Sequence, residues 1–143
     1  MSQENVERFR AVIEDFLGGT SESEREDMLA RIAAIWHPEI EWDISEMGLP
    51  DAGGGIYRGK EAVNGFWREW LGAWETTKFD YELIDAGDHL VVLLDQQLRG
   101  RSTGIEIYMR RFGEVVSFRD GLVVHFRVYR SQRRALEAAG LRD

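Results

Sequence analysis

The sequence predicts an α+β fold, with helices gathered in the first half of the chain and antiparallel strands in the second. Three observations carry that prediction. Apolar residues recur at helical spacing from Val6 to Leu17 and again from Met28 to Trp36. From Lys78 onward the chain turns to β-rich runs parted by the tight-turn signals AGD and RDG. No repeat, low-complexity tract or linker divides the 143 residues, so 1–143 reads as one domain.

Taken in order, Val6, Phe9, Ile13, Phe16 and Leu17 form the stripe of a first helix, stopped by Gly18 and Gly19. Ser21 with Glu24, or Ser23 with Glu26, offers a capping box for a second helix. Its stripe is Met28, Leu29, Ile32, Ile35 and Trp36, and Pro38 ends it. A strand is predicted over Ile40–Glu46. The loop MGLPDAGGG follows, and its glycine run, Gly53–Gly55, is expected to be mobile. IYRGKEAVNGFWREWLGAW is a short extended piece that becomes a helix near Gly59, with Val63, Phe66, Trp67, Trp70 and Trp74 on one face. Gly65 and Gly72 weaken that helix by propensity, so packing must hold it. Four strands follow, at Lys78–Asp85, His89–Arg99, Ile105–Phe118 and Leu122–Arg130, and a helix over Gln132–Ala139 closes the chain before Gly140.

Composition narrows the function classes. With no cysteine, disulfide frameworks and thiolate chemistry are excluded. A formal net charge of −8 argues against nucleic-acid binding, which needs clustered Lys and Arg. No apolar run approaches the roughly 18 residues of a membrane span, so no membrane partner is expected. The opening MSQENVERFR lacks the pattern of a signal peptide, and the expected location is cytoplasmic. His37, His89 and His125 show no metal-ligand spacing, so no metal site is expected. Five tryptophans in one small chain point instead to an aromatic core that doubles as a cavity wall.

The pieces IWHPEIEWD, YRGKEAVNGFWREWL, LIDAGDHLVVL, FRDGLVVHFRVY and ALEAAGL, in that order, resemble the SnoaL-like polyketide-cyclase branch of the nuclear-transport-factor-2-like (ketosteroid-isomerase-like) superfamily. The resemblance implies a curved, mostly antiparallel sheet wrapped around three helices as a cone, with a pocket at its open end and a short C-terminal helix. It leaves activity open, because relatives include cyclases, isomerases, dehydratases, epoxide hydrolases and non-catalytic binders.

The resemblance also reverses the simple reading of PEIEWDISEMG. Alternation alone buries Ile40, Trp42 and Ile44 and leaves Glu41, Asp43 and Ser45 in water. In relatives this strand turns its polar positions into the cone, which places Glu41 and Asp43 in the pocket. By the same matching, Leu93, Asp95 and Gln97 face inward, then Phe112, Glu114, Val116 and Phe118, then Phe126 and Val128, with Arg130 a further candidate. Phe66, Trp67 and Trp70 supply wall, and Tyr57 is a candidate gate. A one-residue slip reverses each of these assignments. Ile105, Ile107, Met109 and Val115, with Val123, Arg127 and Tyr129, fall on the outer face. Relatives pair through that face, so a homodimer is implied; cover by the C-terminal helix alone is the alternative.

Two carboxyl groups carry the implied chemistry. Asp43 matches the general base of isomerase relatives, and burial among aromatics would raise its pKa toward that task. Its bland alternative is a solvated acid or a salt-bridge partner. Glu114 matches their second acid, which donates a hydrogen bond to a developing oxyanion. Its alternative is a structural pair with an arginine. Glu41, Asp95 and Gln97 either orient substrate or form a structural network. Departures from the relatives are plain. Val12 stands where isomerases carry a tyrosine donor, and Gln97, Asp95 and Val128 stand where epoxide hydrolases carry their Asp–Arg–Asp set. The expected function is a cofactor-independent cyclase or isomerase acting on a small hydrophobic carbonyl compound. The alternative is a homodimeric domain that binds a small ligand without turnover.

Overall fold

The computed structural model describes residues 2–14, 21–47 and 55–141. Phe16, Leu17, Gly18, Gly19 and the glycine loop as far as Gly54 lie outside them. The elements run α1 (Gln3–Glu14), α2 (Glu22–Ala33), β1 (Trp36–Asp43), a 3₁₀ turn (Ser45–Met47), β2 (Ile56–Arg58), α3 (Lys60–Ala73), β3 (Trp74–Asp85), β4 (Leu90–Gly100), β5 (Glu106–Arg119), β6 (Leu122–Tyr129) and α4 (Gln132–Ala138). No helix among the described residues is long and apolar enough to cross a membrane.

Local chemistry explains most of the boundaries. Ser21 and Glu24 form a reciprocal capping box at the start of α2: the Glu24 N–H donates to Ser21 Oγ, and the Ser21 N–H donates to the Glu24 carboxylate. That helix ends at Ala33, short of the expected stripe, because Trp36 pairs with Val123 as the first residue of β1. Trp74 likewise leaves α3 and opens β3. The turn between β5 and β6 uses Asp120 and Gly121, both at positive φ, the arrangement that joins two right-twisted strands most tightly.

The six strands lie in the order β2-β1-β6-β5-β4-β3. Every pairing is antiparallel except β1 with β6. The inner face packs on α1, α2 and α3: Phe9 of α1 lies 5.8 Å from Phe126 of β6, and Trp67 of α3 lies 5.2 Å from Trp42 of β1. The outer face carries a second, smaller apolar cluster, in which Val91, Leu93 and Val115 sit under Ala135 and Leu136 of α4. Gly113 is required there, since a Cβ at that position would come within 2.6 Å of the Ala135 side chain.

Two bulges decide which residues face inward. Between the pairs Leu94↔Phe112 and Gln96↔Met109, β5 spends two residues, Arg110 and Arg111, against the single Asp95 of β4. Arg111 takes a positive φ of 54°, and its N–H donates to Asp95 Oδ1 at 2.6 Å. The extra residue inverts the alternation, so Ile107 and Met109 face inward before the bulge and Phe112 and Glu114 after it. In β6, Val124 is the extra residue between the pairs Phe118↔Val123 and Ser117↔His125. Val123 therefore joins the inner core. Ile107, Met109 and Val123 were expected on the outer face and are corrected to the inner one.

Candidate active site

The concave face of the sheet and the three helices enclose a cavity of about 270 Å³. That is close to the lower end of the roughly 300–1,000 Å³ usual for small-molecule sites. All five tryptophans line it, together with Phe9, Phe66, Phe79, Phe112 and Phe126. α3 delivers Phe66, Trp67 and Trp70 at i, i+1 and i+4, and Trp42 meets that face from β1, 5.7 Å from Phe66 and 4.3 Å from Phe126. Val12 of α1 lines the cavity too, as an aliphatic group. Among the described residues only two that line it are polar, Gln96 and Glu114.

Glu114 is held in the middle of β5. Its neighbours across the sheet are Val92 and Val128, and along its own strand Phe112 and Val116 share its face. All four are buried. No hydrogen-bond donor or cation among the described residues reaches its carboxyl group. Burial alone therefore pushes its pKa up, from 4.5 to about 8. At neutral pH this is a protonated carboxylic acid, able to donate a hydrogen bond into an aromatic cavity.

The other expected site residues divide. Phe66, Trp67, Trp70, Phe112, Phe126 and Val128 line the cavity with Glu114. Asp43, Glu41, Asp95 and Gln97 do not; each has its side chain on the outer face, and their expected inward placement is corrected. In β1 the simple alternation holds: Trp42 and Ile44 face the cavity, and the acids between them face away. Burying an indole among aromatics is favourable, whereas an unpaired carboxylate in the same place costs several kcal/mol.

Asp43 is nevertheless only 7% exposed. Its Oδ1 accepts from the N–H and hydroxyl of Ser45 at 2.9 and 2.6 Å, and Oδ2 lies 3.6 Å from Arg127 Nε. Glu41 bridges Arg58 and His125, each at 3.2 Å. Asp95 holds the β5 bulge, and the Gln97 main-chain carbonyl accepts from the Thr77 hydroxyl. Leu93 lies under α4, whereas Leu94, Gln96 and Leu98 take the inward places assigned to Leu93, Asp95 and Gln97. Arg130 is exposed, its N–H donating to Glu46. Tyr57 packs against Phe66 with its ring tilted, centroids 5.1 Å apart, and does not itself line the cavity. Asp43 and Glu114 thus stand on opposite faces of the sheet, and a carboxylate pair acting on one substrate is ruled out.

Gln96 was the site residue missed. Alternation in LVVLLDQQLRG groups Leu94, Gln96 and Leu98 with Leu90 and Val92 on one face, but Val91 on the other face is equally buried, so the sequence carried no signal for which face lines the cavity.

Solved structures share this architecture. The chain superposes on a structure of TerC co-crystallised with polyporic acid with a TM-score of 0.66 at 19% identity, covering 96% of this chain and 99% of that one. A hypothetical protein with a ketosteroid-isomerase-like fold from Catenulispora acidiphila, in complex with trimethylamine, gives 0.62 at 12% identity, covering 99% and 95%. An epoxide hydrolase of the LEH-like type from M. tuberculosis gives 0.60 at 13% identity, covering 96% and 92%. These likenesses establish the fold and leave the chemistry open. No curated protein matches the sequence. The profile of the SnoaL-like domain, however, matches residues 6–126, which take in α1 and the strands through Phe126 that build the cavity. On that match the chain belongs to the SnoaL-like domain family.

Proposed function

We propose that the chain takes a flat, hydrophobic, carbonyl-bearing molecule into this cavity and acts on it with one carboxyl group, Glu114. The neutral acid donates its proton into a hydrogen bond with the carbonyl oxygen. As a proton leaves the neighbouring carbon, that bond strengthens and holds the enolate oxygen, the step that cyclisation and isomerisation of carbonyl compounds share. The departing proton goes to water or to a basic group of the substrate, because no second ionisable side chain lines the cavity among the described residues. The observation that carries this reading is a carboxyl group with no partner, kept neutral by burial, in an aromatic cavity.

That same lack of a second proton-transfer group favours the alternative, a domain that binds such a molecule without turnover. One experiment separates the two. The protein is incubated with 2-acetylnaphthalene in deuterium oxide, and proton NMR follows exchange at the methyl group. The catalytic reading expects exchange that slows above about pH 8, as Glu114 ionises, and that is lost in Glu114→Leu. Binding without exchange supports the alternative. A protein that neither binds nor exchanges the ketone sinks both.

A further inference from the structure

The polarity of the cavity is arranged along its length. Glu114 sits opposite Val92, among residues with almost no exposure, at the end of the cavity away from the exposed Ile107. Gln96 is four residues further along β4, roughly 13 Å by strand rise. Beyond it lies the pair Leu98↔Ile107, and Ile107, at 39% exposure, marks the mouth.

Stability gives no reason for glutamine at this place. Its neighbours along the inner face of β4, Leu94 and Leu98, are apolar, and leucine would fill the space without an amide to satisfy. The amide is also held in position. Nε2 donates to Thr76 Oγ1 of β3 at 2.9 Å, which leaves the carbonyl oxygen without a partner among the described residues. An oriented acceptor near the mouth is set against an oriented donor at the base.

We propose that Gln96 is a ligand-orienting residue, and that the cavity selects an elongated aromatic molecule with a hydrogen-bond acceptor at its inner end and a hydroxyl or N–H donor at its outer end. This rests on the reading of Glu114 as the deep donor. The Gln96 carbonyl accepts from the outer group, so the two anchors fix which end of the ligand enters first. Thr76 is a positioning residue, since it acts only through Gln96.

Quenching of the cavity tryptophans reports binding of three probes of similar shape: 2-acetylnaphthalene, its 6-hydroxy derivative and its 6-methoxy derivative. The wild-type protein is expected to bind the hydroxy ketone about fivefold more tightly than the other two, the worth of one neutral hydrogen bond. Gln96→Leu is expected to abolish that preference, and an unchanged far-ultraviolet circular dichroism spectrum shows the variant to be folded. The comparison of hydroxy with methoxy probe needs no variant at all. Equal affinity of the wild-type protein for the three probes overturns the role of Gln96 and leaves Glu114 standing. Failure of all three to bind overturns both.

Discussion

Asp43 and Glu114 are carboxyl groups on the same sheet, both largely removed from bulk water, with opposite surroundings. Asp43 is on the outer face, with two hydrogen bonds from Ser45 and the Arg127 guanidinium alongside. Glu114 is on the inner face, between Val92 and Val128, with no donor beside it among the described residues. An acid given donors and a cation serves the architecture around it. An acid given none keeps its proton, and the free energy of holding it there is recovered only if something enters the cavity to use it. Partnership, more than burial, separates the structural acid from the candidate functional one.

The largest effect expected from this contrast is a pH dependence of stability. Glu114 has a folded pKa raised to about 8 against 4.5 when exposed. Between those values the unfolded chain releases this proton and the folded chain keeps it, so stability falls as pH rises through the window and levels off above it. Glu114→Gln removes the group. The variant should match the wild type near pH 4 and exceed it by an amount approaching roughly 5 kcal/mol well above pH 8, given about 1.4 kcal/mol per pKa unit. Urea unfolding at acid, neutral and alkaline pH measures the difference. Parallel stability profiles would mean that the carboxyl is hydrated in the folded protein.

Asp43→Ala tests the opposite case. It strands the Ser45 N–H and leaves Arg127 without its acid. A loss of about 2 kcal/mol is expected, in line with losing a buried charge-assisted hydrogen bond. Binding of 2-acetylnaphthalene should not change, because Asp43 does not line the cavity. A variant of normal stability that no longer binds the ketone would reverse the assignment of the two faces.

The elements themselves were legible from periodicity and turn chemistry, and so was the aromatic wall of α3. Side-chain direction was legible in part. For β1, plain alternation pointed the acids outward, which is where they lie; the resemblance to relatives argued otherwise and misplaced Glu41 and Asp43. For β4, the run LVVLLDQQ offers apolar residues on both faces, because α4 covers one and the cavity the other, so alternation does not choose between them. For β5 and β6, the bulges at Arg110–Arg111 and Val124 shift the count by one residue within a strand. No sequence period reveals a bulge whose extra residue is not glycine. Glu114 was found because it follows the bulge by an even number of residues from Phe112, a stretch where the resemblance and the alternation agree.

Asp95 offers the finest test of how the two faces are connected. It is an outer-face residue whose carboxylate accepts the Arg111 N–H, and that contact secures the bulge that turns Ile107 and Met109 into the cavity. Arg111 at positive φ is an uncommon conformation for a residue with a side chain, so the bulge needs such support. Asp95→Ala should cost about 1 kcal/mol, the usual worth of one hydrogen bond, and should speed hydrogen exchange at the Arg111 amide well before it affects β6. Ligand affinity should fall modestly, because the mouth at Ile107 loosens while the base around Glu114 is held by Val92, Val116 and Val128. If Asp95→Ala leaves exchange at Arg111 unchanged, the twist of the strands alone maintains the bulge, and the outer face has no hold on the shape of the cavity.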